Sequence, residues 1–242
     1  MDTYFGVVDF RDFWGLCDAL RLLSRQGVLD AADRPTLQQW FRDFQDDLAR
    51  KAAAAVSATN NIGALCDLLV ASAAAYTGDA GRLSTTLARA SLRIHGLIRP
   101  WGWQVAETSR ATPLHYSLFG LQALINLAWI GRHSGIDLWS YAGINHRSIP
   151  MAARFIAVNR GLFSDYARSA DLFDARIEAA LRSIPQDAAD FAVIANLDRG
   201  SITPVGALNA DHGFVPWWPI MLATDAEATS LRSTLPRVQR AS

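Results

Sequence analysis

The chain has 242 residues, half of them apolar and 19% charged, and its formal net charge is zero. That length supports one large domain or two small ones with a sizeable core. The composition excludes disorder, and a neutral chain has no overall attraction for nucleic acid. The start, MDTYFGVVDF, has neither a basic region nor a long apolar core, so no signal peptide is expected. No run approaches about 18 consecutive apolar residues, so no membrane span is expected either. Cys17 and Cys66 sit in apolar helical stretches with no CxxC pair and no histidine at ligand spacing. They read as reduced, buried thiols, and no metal or other cofactor is called for.

The predicted elements are helical throughout. FRDFWGLCDALRLLSRQG carries apolar residues at helical spacing and stops at Gly27. The next helix takes Asp33 as its cap and Pro35 in its first turn, and runs on through the alanine-rich stretch to about residue 58. A third starts after Asn60-Asn61 and ends at Gly78, and a fourth follows at 80 to 97. Residues 99 to 111 form a polar and aromatic loop, after which Thr112-Pro113 opens a strong helix, PLHYSLFGLQALINLAWIGRHSG. Shorter helical pieces are expected at 137–143, 148–159, 168–184, 186–197 and 225–235. No stretch alternates with period two, and alanine and leucine abound, which predicts an all-α fold of antiparallel helical hairpins. Such hairpins can close as a bundle, stack as a solenoid or curl into a toroid, and no fixed-length repeat favours the solenoid. The whole chain, 1 to 242, reads as one domain whose last seven residues fray.

Polar groups concentrate in three places: Asn60-Asn61, the 99–111 loop, and the first turn of the helix that begins at Pro113. Helix N-termini offer unbonded N–H groups and partial positive charge, so two of them beside Arg110 would suit a carboxylate ligand. Trp101 and Trp103, flanking Gly102, could form a stacking face for a sugar ring. Each signal has an ordinary structural explanation as well. One asparagine is a common N-cap, Tyr116 could be a core tyrosine, His115 an interfacial histidine, and the tryptophans a plug between helices.

Their order is more specific. NNIGALCD (60–67), GWQVAETSR (102–110) and PLHYSLFGLQALINLAWIG (113–131) together resemble the alginate lyase family, polysaccharide lyases built on an α/α toroid. GINHRSIPMAARFI (143–156) and the helices before Asn60 fit the same resemblance, which covers roughly residues 6 to 160. It implies an incomplete or closed α/α toroid and, as reaction, β-elimination at a uronate in an acidic polysaccharide without a metal. The family's motif places Asn61 and Arg110 as neutralisers of the sugar carboxylate and Tyr116 as acid and base. Beside these, Asn60, His115, Trp101, Trp103 and Gln104 are the candidate substrate-binding residues. A free tyrosine phenol, of pKa about 10, needs positive charge beside it to act as a base. By the same resemblance the protein is periplasmic or secreted, although the absence of a signal peptide keeps the cytoplasm open.

The chain departs from the family pattern at three positions. The residue after the two asparagines is a histidine in the family and Ile62 here, which has no donor and no titratable group. The acidic residue before the loop glycine is Trp101, and the threonine after the arginine is Ala111. The doubled asparagine still makes sense if Asn60 caps the helix while Asn61 faces the ligand. A relative that binds oligouronides without cleaving them is the alternative that Ile62 raises. Nine to ten helices are also fewer than a full toroid needs, and an open wall would favour homo-oligomers.

Overall fold

The computed structural model describes residues 5–165 of the chain. The helices expected at 168–184, 186–197 and 225–235, the fraying end and the extent of the domain to residue 242 lie outside the described residues. After a 3-10 turn at Phe5–Phe10 come α1 (Phe13–Arg25), α2 (Asp33–Lys51), α3 (Ala53–Ser57), α4 (Asn61–Thr77) and α5 (Ala80–Leu97). The short α6 (Val105–Thr108), the long α7 (Pro113–His133) and α8 (Ile149–Asn159) complete the described part. Among the described residues there is no β-strand.

Helix α4 is the hub. It packs against α1, α2, α5 and α7, and every one of its residues except Ala75 is buried. A helix apolar on all sides has nowhere else to go, and its alanines, serine and glycine let neighbours approach closely. The α4–α5 hairpin is the one the sequence predicts: Gly78 takes the left-handed conformation (φ 74°) that closes a helix. Asp79 then caps α5 by accepting from the Arg82 backbone N–H at 2.9 Å. The main core joins α4, α5, α7 and α8 through residues such as Leu68, Leu87, Ile94, Leu121, Leu124 and Ile149. A second core lies between the first 3-10 turn, α2, α3 and the start of α4. Both cysteines are buried and unpaired.

Three local expectations need correction. Asp33 is not the cap of α2 but its first residue; Ala32 precedes it without a side-chain cap, and its own N–H is taken by Asp30 Oδ1 at 2.9 Å. The long helix expected to reach residue 58 breaks at Ala52 (φ −117°, ψ 32°). Alanine favours helix, so the residues themselves do not call for this break; beyond it, the carbonyls of Val56 and Ala58 at the end of α3 accept from the Arg93 guanidinium of α5. The helix expected at 137–143 is absent, because the Asp137 carboxylate accepts from the Ser140 N–H at 2.9 Å and forms a side-chain turn instead.

Candidate active site

The site is built where the start of α4 meets α6 and the first turns of α7. Asn60 is extended (φ −121°, ψ −168°) and its Oδ1 accepts from the Ile62 N–H at 3.1 Å, an ordinary N-cap. The N–H of Asn61 donates instead to Glu107 Oε1 at 2.6 Å, across 46 residues of chain. At the start of α7, Thr112 makes no side-chain cap. The carboxylate of Asp165 does so from a distance, accepting from the N–H groups of Leu114 at 3.0 Å and His115 at 3.1 Å. The expectation of two helix N-termini open to a ligand is therefore corrected. Both already hold the protein's own carboxyl groups, since buried N–H groups must find acceptors within the fold.

The side chain of Asn61 is 1% exposed and lies against α7 at Gly120. A Cβ on Gly120 would come within 3.1 Å of Gln104 Oε1 and 3.4 Å of Asn61 Cβ, so glycine is what lets three segments meet there. Gln104 is equally buried, and its Nε2 donates to the Ser117 carbonyl at 3.1 Å. Glu107 has no exposed surface at all. Burial pushes its carboxyl above the usual carboxylate range, with the Asn61 N–H and the Arg110 charge opposing.

Arg110, whose charge reaches Glu107, and Tyr116 are both half-buried and partly open to solvent. The guanidinium carbon of Arg110 lies 4.0 Å from the centre of the Tyr116 ring, a cation–π contact. The His115 ring meets the Tyr116 ring edge to face at 5.2 Å. The buried and the open groups share their supports. Glu107, bonded to Asn61, comes three residues before Arg110. Gly120, against the Asn61 side chain, comes four after Tyr116, one helical turn along the same face. The aromatic loop adds Trp103, whose Nε1 donates to Thr108 Oγ1 at 2.5 Å. Trp101 is 82% exposed and held at φ 69°, a left-handed backbone that is uncommon for an aromatic residue.

A model of the alginate lyase family matches residues 3–160. The chain belongs to the alginate lyase family. An alginate lyase from Bacteroides ovatus has a similar structure, with a TM-score of 0.73 and 22% identity, over 82% of this chain and 55% of that one. The fold is thus an α/α toroid, and the chain spans a little over half the length of that relative. No curated protein matches.

In this alginate lyase family member the motif NNIGALCD divides into two jobs. Gly63 and Asp67, four apart on one face of α4, receive Arg93 from α5: a Cβ at Gly63 would collide with its guanidinium, and Asp67 takes its Nε at 2.5 Å. Asp67 also accepts from Arg89 Nε at 2.7 Å. This buried cluster fixes the chain just ahead of Asn60. Ile62, 5% exposed, turns away from Asn61 into the second core beside Val7, Phe44, Leu48 and Phe119. Sequence reading left Glu107 and Asp165 without a role. Glu107 had a signal, its place three residues before Arg110, whereas nothing near Asp165 announces a partner 50 residues away.

Proposed function

We propose that this protein is a lyase that cleaves an acidic, uronate-containing polysaccharide such as alginate by β-elimination without a metal, and that it works in the periplasm or outside the cell. The observation that carries this reading is the Arg110 guanidinium 4.0 Å over the ring of a solvent-accessible Tyr116, within the family's own motif. The uronate carboxylate pairs with Arg110. As the C5 proton leaves, negative charge spreads onto that carboxylate, and the guanidinium stabilises it. Tyr116 removes the C5 proton and delivers a proton to the departing O4. The C4–O4 bond breaks, and a C4–C5 double bond forms in the new non-reducing end. Asn61 is 1% exposed in the free chain, so seating of the sugar has to uncover its amide before it can stabilise the same carboxylate. His115 holds one edge of the Tyr116 ring, Asn60 and Gln104 hold the buried side, and the exposed faces of Trp101 and Trp103 stack on neighbouring sugars.

The test is incubation with alginate or glucuronan while following the ultraviolet absorbance of the unsaturated uronate. Tyr116→Phe is expected to lower turnover by about 10²–10⁴-fold while oligouronide affinity stays near that of the native chain. A Tyr116→Phe protein that cleaves at a near-normal rate removes the assignment. One observation favours a second reading, a relative that binds oligouronides without cleaving them: position 62 carries a core isoleucine and so no base. Binding with no unsaturated product would select it.

A further inference from the structure

We infer that Glu107 is a positioning residue for Asn61: a neutral carboxylic acid, one oxygen of which holds the Asn61 backbone N–H while the other donates its proton to the buried amides. Its effect on rate rests on the lyase reading above; its protonation and its hold on Asn61 rest on the geometry alone.

Three oxygens at this junction have no hydrogen-bond partner: Glu107 Oε2, Asn61 Oδ1 and Gln104 Oε1. All three residues are at most 1% exposed. Gln104 is oriented by its Nε2, which donates to the Ser117 carbonyl, so its oxygen is left as an acceptor. An ionised Glu107 offers only acceptors, which leaves too many acceptors and a buried charge. A proton on Oε2 turns one acceptor into a donor and removes the charge in the same step. Arg110, three residues on, is directed over the Tyr116 ring. The bond from Asn61 to Glu107 Oε1, at 2.6 Å, then sets where α4 begins and where the Asn61 side chain lies against Gly120. Misplacing a reacting group by an ångström can cost about 10²-fold in rate, so loss of this anchor should be felt in turnover.

Two substitutions in the full chain separate the possibilities. Glu107→Ala removes the anchor and is expected to lower kcat by about 10–100-fold, with KM changed by no more than about two-fold. Glu107→Gln keeps the shape, the acceptor for the Asn61 N–H and a donor toward the amides, so it is expected to restore most of the lost kcat. A Glu107→Gln protein as slow as Glu107→Ala shows that the negative charge is needed and overturns the inference. So does a Glu107→Ala protein that merely melts earlier with kcat intact. Two further readouts need no turnover and no folded alanine variant. The infrared difference between native protein and Glu107→Gln at neutral pH should contain the carboxylic C=O band; carboxylate bands in its place overturn the neutral acid. Hydrogen exchange at the Asn61 amide should be slow in both the native protein and Glu107→Gln; fast exchange in the native protein refutes the anchor. If the native chain cleaves no uronate polymer, the lyase reading fails, while these two measurements still decide the state of Glu107.

Discussion

Ile62→His puts an imidazole into the second core, and the structure says that it will harm the protein rather than improve it. The side chain at 62 is 5% exposed and packs among Val7, Phe44, Leu48, Ala55, Leu65, Leu69 and Phe119. Burying an isoleucine contributes about 1.5–3 kcal/mol, of which the smaller apolar part of imidazole recovers only a share. A ring N–H left without an acceptor in this core costs about 1–3 kcal/mol more. The expected loss is about 2–5 kcal/mol, a large part of the roughly 5–15 kcal/mol that holds a domain folded. Acid should deepen it. A buried imidazole has its pKa lowered, so the unfolded chain binds more protons and stability falls as the pH drops below about 6.5. Urea unfolding at pH 8 and pH 5.5 measures both effects, with Ile62→Val, expected to cost about 0.5–1.5 kcal/mol, as the control for size alone. An Ile62→His protein that unfolds at the native urea concentration and cleaves uronate faster would refute the placement of this side chain in the core.

Asp67→Ala should cost about 3–5 kcal/mol in chemical denaturation, because it leaves the Arg93 side chain, 7% exposed, as a buried charge without its counter-ion; a loss below about 1 kcal/mol would mean the cluster is not a structural clamp. Asp18, 8% exposed, has its carboxyl pushed up to about 7 by burial, with Arg21 and Arg25 opposing. The folded chain therefore binds a proton that the unfolded chain has released between about pH 4 and 7, so stability falls as the pH rises through that window. Asp18→Asn should flatten this slope and stabilise the protein at pH 8 by a few kcal/mol, and an unchanged slope in pH-dependent melting would exclude the assignment. Trp101→Gly should relieve the left-handed backbone at φ 69° and raise stability by about 1 kcal/mol. It should also weaken oligouronide binding in calorimetry; equal affinity would show that the exposed ring touches no sugar.

Much of the local structure was legible in the residues themselves. The start of α4 after Asn60, its end at Gly78, the span of α5 and the start of α7 at Pro113 follow from caps, a left-handed glycine and helical spacing, because these signals act within a few residues. The order of the Asn, Gln, Glu, Arg and Tyr residues also pointed to the family. Two errors are local, Asp30 taking the N–H before α2 and Asp137 turning the chain at Ser140; others fall where a distant residue intervenes. The end of α3 is held by Arg93, and the filled N-termini of α4 and α7 answer to Glu107 and Asp165. No reading of neighbours along the chain could anticipate them.

The candidate site divides in the same way. That Arg110 and Tyr116 can meet is written in their six-residue spacing across a turn into a helix, and the structure brings the guanidinium over the ring. Whether residue 62 or residue 61 faces α7 depends on how α4 is rotated about its axis, since neighbours on a helix point about 100° apart. That rotation is decided by packing: Gly120 leaves room for Asn61, the second core claims Ile62, and Arg93 locks Gly63 and Asp67 from the far side. The sequence by itself determined the kinds of helix and the chemistry available at their ends. Only the tertiary structure decided which of those groups meet, because burial and close contact join residues that the chain keeps far apart.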